Sequence, residues 1–214
     1  MITLTALLGC EETLSTVHPA GPGAAVISTL WWVMLAGGTA IFVFVMVLVA
    51  LAWRRPAGAT TEKRFIVGLG LVFPLVVLGA LLAYGLIVGE RLLPRAGSDV
   101  VTLRAEASRW NWRFTYADAP ELETQNVLHI PAARPVDVEI VTLDVVHSFW
   151  VPRLAGKLDA VPGHVNVLRI EAFAPGEYAG LSAEYSGPGY ANHNFSVIAH
   201  GPEAWAAFLA GGTP

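Results

Sequence analysis

The sequence predicts a two-helix transmembrane hairpin followed by an all-β sandwich, on three observations. Two long stretches, Thr13 to Trp53 and Phe65 to Gly89, contain no Asp, Glu, Lys or Arg. Charged residues make up only 14% of the 214, against about 25% in an average soluble domain. From Ala96 onward the composition changes to short alternating segments rich in β-branched residues, broken by Pro and Gly turns.

A helix rises 1.5 Å per residue and the hydrocarbon core of a bilayer is about 30 Å thick, so about 20 apolar residues cross it. Ala24 to Trp53 and Phe65 to Gly89 both reach that length and are apolar all round, as lipid-facing helices require. Pro74 predicts a kink in the second span. Gly37, Gly38, Gly68 and Gly70 predict close helix approach. Trp31, Trp32 and Trp53 are expected at the membrane interfaces. The connecting loop, 54–64, carries Arg54, Arg55, Lys63 and Arg64. A short cationic loop marks the cytoplasmic side. Both termini then lie on the periplasmic side of a bacterial inner membrane, with an N-terminal segment at 1–23, the hairpin at 24–95 and an outer domain at 96–214. Leu7-Leu8-Gly9-Cys10 resembles a lipoprotein cleavage box, although no cationic n-region precedes it. Cys10 is thereby a candidate for lipidation.

In the outer domain, alternation predicts strands at Val100–Ala105, Trp110–Tyr116, Val136–Thr142, Val165–Glu171 and Asn194–His200. Turns are expected at Asp118-Ala-Pro120, Pro131–Pro135, Pro162-Gly163, Pro175-Gly176 and Gly187-Pro-Gly189. Short strands at this spacing point to a sandwich, and Pro202–Leu209 reads as a closing helix with Pro at its start. The domain carries 13 acidic residues against 7 Lys and Arg. With a whole-chain charge of −4, a nucleic-acid partner is not expected. The single cysteine excludes an internal disulfide framework and any metal centre needing two thiolates from this chain.

Three segments are specific: Trp110-Asn-Trp112, His147-Ser-Phe-Trp-Val-Pro152 and Lys157-Leu-Asp-Ala-Val-Pro-Gly163. Following two anchoring helices, they resemble subunit II of haem-copper respiratory oxidases, from roughly Gly21 to the C-terminus. The resemblance implies a two-helix transmembrane hairpin followed by an all-β cupredoxin-like sandwich beside a catalytic subunit I that holds the haems and the oxygen-reducing copper. In the cytochrome c branch the domain carries a dinuclear copper centre, bound by a His in the HSFWVP run and by Cys-x-Glu-x-Cys-x-x-x-His-x-x-Met. Laid onto this chain, the first His is His147. The two cysteines fall on Ser182 and Ser186, the second His on Tyr190 and the Met on His193, while Glu184 keeps its place. Serine hydroxyls are hard and weakly acidic, and do not replace bridging thiolates. Ser182-Ala-Glu-Tyr-Ser-Gly-Pro-Gly-Tyr190 is similar to the quinol oxidase branch, which lacks this copper. His147-Ser-Phe-Trp150 and Lys157–Gly163 are closer to the cytochrome c branch.

The resemblance thus implies subunit II of a proton-translocating, oxygen-reducing, quinol-oxidising oxidase, with no catalytic residue and no cofactor bound by this chain alone. Partners would be the catalytic subunit, further oxidase subunits and membrane lipid, with quinol or cytochrome c as donor to the complex. For Glu184 the resemblance implies an interfacial magnesium ligand or proton-exit acid; the plain alternative is a solvated carboxylate. Trp110 and Trp112 match the aromatic strand of electron entry, yet residues at i and i+2 share a strand face and equally suit packing. His147, Glu184, His193 and His200 are weighed as a mononuclear metal site; otherwise His147 is a hydrogen-bonded histidine, and His193 and His200 lie at the surface or an interface. Other functions stay open: a cytochrome c-fed oxidase lacking the dinuclear copper, a nitric oxide-reducing relative, and a membrane-tethered copper-binding or assembly protein. Against the last, none of Met1, Met34 and Met46 lies in the outer domain.

Overall fold

The computed structural model describes residues 12–54, 62–95, 97 and 99–211. Cys10 and the centre of the cationic loop lie outside them. Contacts divide the chain into two units, one of Thr29–Leu92 and one joining Met1–Ser28 with Leu93–Pro214.

The first unit is helical. Helix α1, Pro22–Arg54, and helix α2, Glu62–Arg91, are long and apolar enough to cross a membrane, and the most apolar stretch of each is left unburied by the described residues. Within α2, residues Ile66–Val72 form a π-helical stretch directly before Pro74. Proline lacks an N–H and crowds the carbonyl four residues earlier, and widening the preceding turn relieves that clash. Phe44 and Phe73 lie with ring centroids 5.8 Å apart. Among the described residues the close approach expected at Gly37, Gly38, Gly68 and Gly70 is not made: a Cβ built at any of them meets nothing within 4 Å.

The second unit is a sandwich of two five-stranded sheets. One sheet runs β3 (Ala119–Gln125), β2 (Asn111–Tyr116), β1 (Val101–Ser108), β5 (Val136–Thr142), β8 (Asn166–Ile170). The other runs β4 (Val127–Pro131), β10 (Asn194–His200), β9 (Gly176–Ser182), β6 (His147–Trp150), β7 (Leu158–Ala160). Pairing is antiparallel except for β1 with β5 and β4 with β10. The core follows from strand alternation: Leu103, Ala105 and Ala107 of β1, Trp112, Phe114 and Tyr116 of β2, and Phe195, Val197 and Ala199 of β10 all turn inward. Helix α3, Pro202–Leu209, starts on its proline and covers one end of the sandwich with Trp205 and Phe208. Pro120, read from sequence as part of a turn, lies inside β3. It is tolerated there because β3 is an edge strand, whose outer N–H groups need no ladder partner.

The segment before α1 is laced to the sandwich. Ala20 N–H donates to Arg153 O at 2.7 Å, Phe173 N–H to Ala20 O at 2.8 Å, and Ala24 N–H to Leu154 O at 3.1 Å. Gly21 permits that approach, since a Cβ there would lie 2.0 Å from the Glu171 carbonyl oxygen. The obstacle is backbone and cannot rotate away. Gly21→Ala is therefore expected to destabilise the outer unit by about 1–3 kcal/mol, read as a lowered denaturation midpoint of the full-length chain. An unchanged midpoint would show that the lacing is dispensable.

Candidate functional site

The residues that the resemblance matches to copper ligands lie on β6, β9 and the turn between β9 and β10. His147 opens β6, Ser182 closes β9, and the turn after β9 carries Glu184, Ser186 and Tyr190 before His193 leads into β10. His147 and His193 are both fully buried, their rings edge to face with centroids 4.9 Å apart. Trp112, also fully buried, stacks on His193 at 5.4 Å and meets His147 edge-on at 6.5 Å.

His147 donates from Nε2 to Asp144 Oδ1 at 2.8 Å. Asp144 also accepts from the backbone N–H of Val145 at 2.7 Å and of Arg109 at 3.0 Å. Burial pushes the Asp144 carboxyl up, but hydrogen bonds from His147, Val145 and Arg109 outweigh it and hold the group at about 2. Burial, reinforced by the neighbouring His147, lowers the pKa of His193. The Asn111 backbone works against that shift.

Several polar atoms here have no partner. They are His147 Nδ1, both ring nitrogens of His193, Ser148 Oγ, Ser186 Oγ and Trp112 Nε1. Ser182 is satisfied: its Oγ accepts from Ser148 N–H at 3.2 Å, and its N–H donates to His193 O at 2.9 Å. Tyr190 is exposed and packs on Tyr185 at 5.3 Å. Glu184 is half-exposed and accepts from Lys157 Nζ at 3.2 Å, while Lys157 also donates to Asp159 at 2.9 Å.

Three expectations need correction. Trp110 and Trp112 do not share a strand face, because β2 begins at Asn111 and Trp110 sits in the preceding turn. Trp112 is core, whereas Trp110 is 37% exposed and lies over Gly187 and Gly189. Those glycines have φ of 117° and 104°, values that L side chains avoid, and a Cβ on either would touch the indole at 3.4–3.5 Å. Secondly, His193 and His200 are buried rather than superficial. Thirdly, His200 is not near His147. It pairs instead with His129 of β4, Nδ1 of His129 lying 2.8 Å from Nε2 of His200, beneath Phe208. Asp144, Ser148 and His129 were not recognised from sequence. For Asp144 the available signal was a carboxylate three residues before His147 in a turn.

No group of three His, Cys, Asp or Glu side chains suited to a metal occurs among the described residues. Two imidazoles, serine hydroxyls and no thiolate do not make the donor set of a thiolate-bridged dinuclear centre.

Comparison with known proteins agrees with this architecture. The family described as cytochrome c oxidase subunit II, periplasmic domain, matches residues 101–200. The chain is 32% identical over 223 aligned positions to cytochrome c oxidase subunit 2 of Alkalihalophilus pseudofirmus, covering 97% of this chain and 64% of that protein. It is 28% identical to quinol oxidase subunit 2 of Bacillus cereus, covering 92% of this chain and 72% of that one. The chain thus spans a little under two thirds of the first relative's length. Among solved structures, the periplasmic domain of cytochrome oxidase subunit II of Bradyrhizobium japonicum shares the fold, with a TM-score of 0.51, 21% identity, and coverage of 56% of this chain and 96% of that domain.

Proposed function

The chain belongs to the subunit II family of haem-copper oxidases, and from that premise we propose that it serves a quinol-oxidising, oxygen-reducing terminal oxidase without a copper centre of its own. The observation that carries this is the composition of the former ligand cluster. Ser182 and Ser186 stand where thiolates would bridge two coppers, Tyr190 is a surface residue, and the one cysteine of the sequence is Cys10. An electron arriving at this domain has no acceptor in it, so the donor delivers elsewhere in the complex. Quinol, dissolved in the membrane, can do so without docking on the outer domain.

In this role the two spans brace the catalytic subunit, which holds the haems and copper, and the sandwich caps its periplasmic face. Both termini are then periplasmic. Turnover of the intact complex with quinol and with reduced cytochrome c tests the donor. Quinol oxidation sensitive to quinone-site inhibitors is expected; efficient oxidation of cytochrome c without mediator would replace the proposal by a cytochrome c-fed enzyme. That second reading has one observation in its favour: Trp110 stays exposed beside His193, at 6.2 Å between ring centroids.

Glu184 would be the interface acid. It and Asp159 converge on one cation, and within this chain that cation is the Lys157 ammonium. A carboxylate pair of this kind suits magnesium, which keeps most of its waters, once Lys157 turns away. Glu184→Ala is expected to lower the magnesium content or proton-pumping stoichiometry of the complex. No change in either would identify it as a solvated acid paired with Lys157.

A further inference from the structure

We propose that helix α3 is an acid-released cover: His129 and His200 hold it on the sandwich near neutral pH, and protonation of these two rings frees it while both sheets stay folded. The release is a property of this end of the sandwich and is independent of the oxidase's electron donor.

His129 of β4 and His200, the last residue of β10, are 5% and 7% exposed. Their rings are nearly parallel, at 10°, with centroids 5.0 Å apart. Nδ1 of His129 lies 2.8 Å from Nε2 of His200, and such a contact between neutral imidazoles uses one N–H and one lone pair. Phe208 of α3 lies flat on His129, with 4.2 Å between centroids and 15° between planes, and Trp205 is 6.4 Å from His200. Protonating one ring places an imidazolium beneath these apolar rings. Protonating both also turns the lone pair into an N–H that faces an N–H.

Among the described residues no carboxylate compensates the pair: burial acts against the charged form of both rings, and the one charge that adds to it is that of His200 on His129. On β4 and β10 the two histidines are the only titratable groups. α3 carries one charged residue, Glu203, and it is exposed. β2 contributes Tyr116, a phenol whose pKa burial raises, and Arg113, which is engaged by Glu106 and Glu123. Arg134, in the turn after β4, pairs with Asp99 at 2.8 Å. Asp118 beside α3, Glu121 of β3 and Glu177 of β9 are exposed.

α3 has no polar anchor of its own. Among the described residues no hydrogen bond or ion pair joins it to the sandwich; the Trp205 N–H bonds back to Gly201 O, and those of Ala210 and Gly211 to Ala206 O and Phe208 O. It is held by Trp205 and Phe208, packed on Tyr116 and on the two histidines. Its main contact is therefore with the groups that titrate. Eight residues make too short a helix to persist alone in water, so undocking also melts it. Segments held by few contacts open at far lower cost than the whole domain. The His129 pKa is about 4 in the docked state and returns to the ordinary 6.5 on release. Docking is thus at full strength above about pH 6.5 and weakens as pH falls toward 4, by about 30-fold at pH 5 from this residue alone.

The test is amide hydrogen exchange of the full-length chain in detergent at pH 7.5 and 5.0, corrected for the intrinsic rate at each pH. The α3 peptide is expected to lose at least about 30-fold in protection at pH 5.0. Its exchange should be insensitive to low denaturant, the mark of local opening, while β1 and β5 stay protected. In a His129→Gln, His200→Gln variant, α3 protection should be the same at both pH values. Phe208→Ala supplies the released state for comparison, with α3 unprotected at both pH values and β1 and β5 intact. Equal protection of α3 in the parent at both pH values overturns the proposal, and this comparison stands even if the double variant does not fold. So does loss of β1 and β5 protection together with that of α3, or the parent's full pH response in the double variant.

Discussion

Replacing Trp112 by alanine is expected to cost the outer domain about 3–5 kcal/mol, the largest effect of any single truncation considered. The indole is fully buried at the junction of the two sheets and of the histidine pair. Its ring lies 5.6 Å from Phe149, 5.5 Å from Phe195, 6.3 Å from Phe114 and 5.4 Å from His193. Truncation removes a large apolar body and leaves a cavity that these rigid rings cannot fill. It also removes the wall on which His193 stacks. Trp110→Ala provides the contrast. That indole is 37% exposed and sits on a glycine turn, so its loss should cost less than about 1 kcal/mol. Denaturant unfolding of the full-length chain, with the β-sheet signal as readout, measures both. Equal losses would show that the indoles have been assigned to the wrong environments.

The second large effect is a loss of stability in mild acid. Burial lowers the His129 pKa from the ordinary 6.5 to about 4, with a further contribution from His200. Burial lowers that of His200 as well. The pair shares one hydrogen across 2.8 Å, stacked under Phe208 of α3 and close to Trp205, and the Tyr116 hydroxyl accepts from the backbone N–H of His129. Protonating both rings would set two like charges face to face. The folded state thus resists a proton that the unfolded chain accepts. The contribution is fully present above about pH 6.5 and is lost as pH falls from there through about 4. For His129 alone it approaches about 3 kcal/mol. Asp144, held at about 2, gives way only below the ordinary carboxylate range, so the two windows separate. Denaturant midpoints at pH 7.5 and 4.5 should show the loss, and a His129→Gln, His200→Gln variant should show a much flatter profile. The same slope in both proteins would remove the pair as its source.

The architecture was legible where alternation was clean. Val136–Thr142, Asn194–His200 and Pro202–Leu209 have the bounds their patterns predict. Strands β3, β4, β6, β7 and β9 were not foreseen, each for a physical reason. β3 is a largely exposed edge strand with acidic residues and a proline, so it reads as a turn. β4 and β7 are short. β6 has three consecutive buried residues and no alternation. β9 contains Gly180, whose missing side chain is replaced by the Phe195 ring, with an added Cβ coming within 2.3 Å of it. The ligand-position residues were legible by family resemblance, but their burial was not. His193 has the same parity as Phe195, Val197 and Ala199, so carrying the β10 alternation back one step would have turned it inward. His200 breaks that alternation at the strand's end and is buried only because α3 covers it, a tertiary effect with no local signature. Trp110 failed in the opposite sense: its spacing from Trp112 suggested one face, but the chain turns before β2 begins.

The most direct test of the central claim is the copper spectrum of the outer domain within the purified, copper-loaded complex. In a dinuclear centre one unpaired electron shared by two equivalent copper nuclei gives a seven-line resonance, with thiolate-to-copper absorption in the visible. With Ser182 and Ser186 in place of thiolates, both signals should be absent however much copper is supplied. A seven-line signal with two coppers assigned to this chain would contradict the account.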